Sequence, residues 1–171
     1  LFYNAKRATL IFITASVYEK LFHRPLKVAH SLGDGLYCID LEKNNITDEM
    51  ITQIKQGISE FISTHKSLEI VDVPRNELLN QFLKLNRHDK VGVLKTIPSS
   101  KIKCIRCGEY SDYILEPMET NLNNLPVYEL KKYHDGFVLR LPTLLSPDKL
   151  QEWVEPTSQA DMFDEYAEWA E

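Results

Sequence analysis

The run Gly136-Phe-Val-Leu-Arg140 constrains this chain more than any other, because a short, continuous apolar run after a turn-forming His-Asp-Gly reads as a strand. It closes the stretch from residue 108 to 140, GEYSDYILEPMETNLNNLPVYELKKYHDGFVLR, which reads as strands joined by tight turns. A chain with such an ending needs a sheet, and its first half must supply the elements that cover it.

Those elements follow in order. Asn4 is placed to cap a first helix through AKRATLIFITASVYEKLF, with Leu10, Ile13, Val17 and Leu21 at helical spacing and Pro25 as the stop. LKVAHSLGDGLYCIDLE then has Gly33-Asp34-Gly35 between two β-rich runs, which predicts a hairpin. Thr47 caps the next helix, where Asp48 and Glu49 oppose the positive end of the helix dipole. The apolar face of that helix is Met50/Ile51, Ile54, Ile58 and Phe61/Ile62. A strand over 68–73 runs into Pro74 and a helix bearing Leu78/Leu79, Phe82 and Leu83. RHDKVGVLKTI (87–97) reads as a short helix turning into a strand. Strands over 101–107, 109–115, 127–133 and 136–141 complete the order. The expected class is α+β, with helices packed on an antiparallel sheet.

Composition sets the remaining bounds. The chain has 171 residues, 43% of them hydrophobic, enough for one compact domain with a core. The net charge of −5 argues against generic nucleic-acid binding, and it is unevenly spread. From Thr143 onward there are eight acidic residues against Lys149 alone, so 1–142 forms the body and 143–171 an acidic exit. Met162, Phe163, Tyr166 and Trp169 give that exit an amphipathic end, and such a stripe calls for a partner surface. The three cysteines suit a reducing, cytoplasmic setting better than a disulfide scaffold. No apolar run reaches the roughly 20 residues needed to span a bilayer, and no signal peptide is evident. The chain reads as a piece of something longer.

Local motifs for chemistry are sparse. Cys104-Ile-Arg-Cys107 is a lone CxxC, whereas a closed zinc site takes four ligands. Residues three apart on a strand also face opposite ways. There is no GxxxxGK[ST] and no GxGxxG. His23, His30, His65, His88 and His134 are scattered without HxH or HxxxH spacing. Spacing alone therefore yields no metal and no catalytic residue.

A wider resemblance lies in Arg7-Ala-Thr-Leu-Ile-Phe12, His30-Ser-Leu-Gly-Asp-Gly-Leu-Tyr37, RHDKVGVL (87–94), Asp112-Tyr-Ile-Leu-Glu-Pro117 and Gly136-Phe-Val-Leu-Arg-Leu-Pro142. Across most of 5–142 these lines resemble the second additional (editing) domain of threonyl-tRNA synthetase, shared with alanyl-tRNA synthetase. They resemble more closely the copy that precedes the kinase in uridine kinase/phosphoribulokinase-family proteins. The resemblance implies an antiparallel α+β fold of that type. In the synthetases, a histidine pair on the first helix and a Cys…His pair form a metal-binding hydrolytic cleft. Here those positions hold Ala8, Phe12, Ile114 and Met118, of which only Met offers even a weak, soft ligand. Asp112 matches the strand aspartate and Lys90 a cleft lysine, either a pair that orients a ligand or a leftover ion pair. Ile114-Leu-Glu116 and the loop METNLNNL depart from the kinase-fused pattern.

The resemblance thus implies a non-catalytic accessory domain whose missing partner is a P-loop kinase using ATP and Mg, with no cofactor held by this segment. The candidate ligand-binding residues are His30, Asp34, Tyr37, Lys90, Tyr110 and Asp112, for a small nucleotide-like or aminoacyl ligand. Asp34 also reads as a plain turn residue, and Tyr37 and Tyr110 as strand packing. His30, a hairpin histidine set opposite an aspartate, is the residue type that titrates near neutral pH. An editing hydrolase of mischarged tRNA is the alternative, but it lacks its base and a basic face for tRNA. A protein-interaction module docking through 159–171 is a third reading.

Overall fold

The computed structural model describes residues 2–33, 35–65, 67–107, 110–114 and 117–142. The acidic exit 143–171, with its expected helix, lies outside them. Among the described residues the chain is α+β, with four α-helices and two antiparallel sheets rather than the single sheet expected. It divides into two compact units, one of residues 1–11 and 61–125, the other of residues 12–60 and 126–171. Helices α1 (Phe2–Phe22) and α2 (Asp48–Thr64) each pass from one unit into the other along the chain.

The second unit holds a four-stranded sheet in the order β1-β2-β7-β6, made of β1 (Leu26–Leu32), β2 (Gly35–Asp40), β6 (Glu129–Tyr133) and β7 (Gly136–Arg140). β7 is an interior strand buried at every residue, which explains its unbroken apolar run. A Cβ on Gly136 would sit 2.0 Å from the Cys38 carbonyl oxygen, so only glycine lets β7 approach β2. The β6–β7 turn has two residues, and His134 takes φ +48° in it. His134 is thus a turn residue as well as a surface histidine. On one sheet face Leu36, Cys38, Leu130, Phe137 and Leu139 are buried. α2 contributes Ile51, Ile54 and Ile58 to the core, as its periodicity predicts. Thr47 caps it, its Oγ1 accepting the Met50 N–H at 3.2 Å.

α1 departs from the expected pattern. It begins at Phe2, so Asn4 lies inside the helix and does not cap it. Leu21 is 41% exposed, while Ala8, Thr9, Leu10, Phe12, Ile13, Thr14, Val17 and Tyr18 are buried around the helix. A helix buried on most of its circumference carries no single apolar stripe, and a reading by periodicity misplaces its edges.

Tyr18 has a polar reason to be inside. Its hydroxyl donates to Asp40 Oδ2 at 2.5 Å, Arg24 Nε donates to the same oxygen at 2.7 Å, and the Glu42 N–H donates to Oδ1 at 2.7 Å. Asn44 adds a longer bond. Burial disfavours charge on Asp40, yet these donors outweigh it and hold the carboxyl below the usual carboxylate range. Burial, reinforced by the bond to Asp40, pushes the Tyr18 hydroxyl up.

The first unit holds a three-stranded sheet, β3-β4-β5, from β3 (Glu69–Pro74), β4 (Lys101–Cys107) and β5 (Tyr110–Tyr113). α3 (Arg75–Lys84) starts directly after Pro74, and α4 (His88–Lys95) follows. Within 87–97 the helix covers His88–Lys95, and Thr96 and Ile97 are not a strand; β4 begins only at Lys101. Val73, Leu78, Phe82, Val91, Leu94, Ile102 and Cys104 make the core between sheet and helices. In the loop over 118–125, Asn121 caps a short 3-10 turn (Leu122–Asn124) that buries Leu122.

β5 is an edge strand, and α3 closes that edge at Ser111. Gln81 Nε2 donates to the Ser111 carbonyl at 2.7 Å, and the Ser111 N–H donates back to Gln81 Oε1 at 3.3 Å. The side-chain amide stands in for the peptide group of a further strand, one of the ways an exposed edge is blocked.

Two outcomes are expected. Gln81→Ala orphans both Ser111 backbone groups in a buried position and lowers unfolding free energy by about 2–4 kcal/mol, measured by urea denaturation. For Asp40, the folded carboxyl titrates below its unfolded value of about 3.9. Its contribution is therefore complete above that pH and is lost as pH falls through the depressed folded value. Asp40→Asn lowers stability near neutral pH by about 2–3 kcal/mol and flattens the stability–pH curve below about pH 4.

Candidate functional site

The six candidate ligand-binding residues fall on both units. His30, Asp34 and Tyr37 belong to the four-stranded sheet and its hairpin, and Lys90, Tyr110 and Asp112 to the α4–β5 side of the other unit. Asp34 lies outside the described residues, and of Tyr110 the backbone alone is described, paired with Cys107.

On β1 a bulge between Val28 and His30 resets the register, so that His30 stands across from Tyr37 and not from an aspartate. Their ring centroids are 5.4 Å apart. Tyr37 meets Tyr133 edge-on at 5.4 Å, and Tyr133 meets His134 edge-on at 4.3 Å. Tyr37 also packs on the small cluster of Leu32, Tyr133 and Val138. Burial, then the nearby Asp135 charge, pushes the Tyr37 hydroxyl above its ordinary value. Strand packing accounts for Tyr37 here, with His30 exposed at the end of the ring row.

On the other unit Lys90 and Asp112, 22 residues apart in sequence, meet directly. Lys90 Nζ donates to Asp112 Oδ2 at 2.5 Å, with the side chains only 15% and 17% exposed. The ammonium also lies 5.6 Å from the centroid of the Phe82 ring and 5.5 Å from that of Tyr113. Those rings stand at 88° to each other, 5.8 Å apart. Each ring therefore faces the cation with its electron-rich π cloud. Asp112 Oδ1 is buried and has no hydrogen-bond partner among the described residues. Sequence reasoning picked out the two charges but not the rings, because Phe82 reads as helix core and Tyr113 as a strand residue.

Ala8, Phe12, Ile114 and Met118, the positions likened to the synthetase metal cleft, lie elsewhere. Ala8 is buried in α1; Ile114 directly follows β5, its N–H bonded to the Lys103 carbonyl at 2.9 Å. Met118 is half-buried. The segment after β5 is tied to α1: the Glu119 N–H donates to the Ala5 carbonyl at 3.2 Å, and the buried Thr9 hydroxyl lies 2.8 Å from the Glu119 carbonyl. Ala8, Ile114 and Met118 thus belong to one unit; Phe12, also buried, is assigned to the other. Ala, Phe and Ile have no ligating atom, so these residues do not fit a zinc ion of the kind the synthetase cleft binds. No group of three His, Cys, Asp or Glu residues suited to a metal ion occurs among the described residues. Burial raises the Cys104 thiol to about 11, with the Asp112 charge adding to it, and the Cys38 thiol to about 12, so both stay protonated at neutral pH. No helix among the described residues is long and apolar enough to cross a membrane.

No family model matches the chain, and no curated protein matches it.

In a double-mutant cycle with Lys90→Met and Asp112→Asn, the pair is expected to show a coupling energy of about 1–3 kcal/mol in thermal or urea unfolding.

Proposed function

We propose that this chain is a non-catalytic accessory domain of a uridine kinase/phosphoribulokinase-family protein, built on the fold of the synthetase second additional domain. The carrying observation is the bonding of α1 to the segment after β5 through Ala5, Thr9 and Glu119. It joins the two stretches that carry the synthetase ligands at a place where this chain has Ala8 and Met118. The reading is further supported by the protonated state of Cys38 and Cys104, which leaves neither as a substitute nucleophile. ATP and Mg then belong to the kinase domain, which is also the first protein partner. The Lys90–Asp112 pair remains as the ligand-binding position, for a small aminoacyl or nucleotide-like molecule.

Zinc titration tests the reading by restoration. The triple variant Ala8→His, Ile114→Cys, Met118→His returns three ligands within one unit, and it is expected to bind one zinc ion by calorimetry while the parent chain binds none. No zinc binding by the folded triple variant sinks the fold assignment. Deacylation of mischarged tRNA by the unaltered chain sinks the non-catalytic reading instead. The encoding gene supplies a separate check on the kinase, since a P-loop and its flanking strand and helix are expected beyond the segment.

A further inference from the structure

We propose that Phe82, Tyr113 and Asp112 form a cage for a primary ammonium ion, and that Lys90 fills this cage in cis and closes it to ligands. The inference rests on the reading of Lys90–Asp112 as a ligand-binding position and names how that position is regulated. Three features carry it. Two ring faces at right angles each lie within 6 Å of the same ammonium nitrogen, the range in which a cation is attracted by the ring quadrupole. A carboxylate oxygen completes the surround at 2.5 Å. The second oxygen of that carboxylate is buried and lacks a donor among the described residues. A side chain placed only to pair with Lys90 would gain nothing from keeping that acceptor buried and unsatisfied. The Lys90 ammonium, held on its side chain, donates to Oδ2 and leaves Oδ1 without a donor among the described residues; an ammonium free of that tether can turn its three N–H donors to both oxygens.

The cage selects for chemistry as well as charge. Phe82 is fully buried and the two charged side chains are mostly so, and the space that the Lys90 side chain fills is that of a primary amine on a narrow stem, not of a bulky quaternary one. Lys90 reaches it from α4, whereas Asp112 and Tyr113 are on β5 and Phe82 on α3. Withdrawal of one lysine side chain therefore vacates the cage without dismantling its walls. A ligand must compete with a tethered occupant, so the unaltered chain binds small ammonium ions weakly. Removing Lys90 strengthens that binding by at least about tenfold, because the open state no longer has to be reached first.

The atoms that Lys90→Ala removes, from Cγ to Nζ, are those of n-propylammonium. Titrating n-propylammonium chloride into Lys90→Ala, with Tm as the readout and ionic strength held constant with sodium chloride, is expected to give a saturable rise in Tm. Neutral n-propanol gives none, nor does n-propylammonium with the Lys90→Ala/Asp112→Asn double variant. An equal response to propanol, or an undiminished response in the double variant, overturns the cage. Should Lys90→Ala fail to fold, the unaltered protein decides by NMR. The Lys90 ε-methylene protons are expected upfield of those of exposed lysines because of the two ring faces. Values equal to those of exposed lysines overturn the proposal. A failed cage with a zinc-binding triple variant leaves the accessory-domain reading intact; the reverse pair of results leaves the cage and removes the family assignment.

Discussion

The close approach of β7 to β2 is the constraint on which the four-stranded sheet depends. At Gly136 the Cys38 carbonyl stands where a Cβ would be, and at Gly35 the Leu139 carbonyl does the same at 2.5 Å. Two glycines facing the partner strand's backbone, one at each end of the pairing, allow β7 to lie between β2 and β6 with every residue buried. Each large apolar side chain fully buried there is worth about 1.5–3 kcal/mol over its exposed state. The His134–Asp135 turn holds β6 in register with β7, and the Asp135 carbonyl accepts the Ile46 N–H at 2.8 Å, fastening the loop before α2 to the same corner.

In the other unit a smaller sheet is held by a different device. β5 has only four residues, and beside its ladder to β4 it is bonded to α3 through Gln81 and to α4 through Lys90. The candidate ligand-binding pair is therefore also a fastening of the fold. This dual use explains why Lys90 and Asp112 read equally well, by sequence alone, as a cleft and as an ion pair. The pair also stands apart from the Ala8, Ile114 and Met118 positions, which carry no charge.

How much was legible varied with the physical origin of the signal. The α2 helix was read to its cap, because Thr47, the acidic first turn and Ile51, Ile54 and Ile58 obey one local period. The β1–β2 hairpin and the strands of the 101–140 stretch were likewise read near their observed positions, since turn residues and β-rich runs are local. α1 escapes a reading by periodicity at Asn4 and Leu21 because burial on many sides erases the period, and the strand expected after the short helix in 87–97 does not form because the Thr96 and Ile97 N–H groups bond the Val93 and Leu94 carbonyls in the last turn of α4. Tyr18, Arg24 and Asp40 gave no sign of their network; their contacts span 16 and 22 residues.

By itself the sequence determined the class of the chain, the kinds of element in nearly their observed order, the absence of a P-loop motif, and the uncharged side chains at Ala8, Phe12, Ile114 and Met118. These follow from residue identity and short-range periodicity, which need no knowledge of distant neighbours. Tertiary structure alone decided that the strands form two sheets, that His30 faces Tyr37, and that Lys90 meets Asp112 between two aromatic rings. Strand partners and ion pairs are chosen by packing between residues far apart in the chain, and no local pattern records that choice.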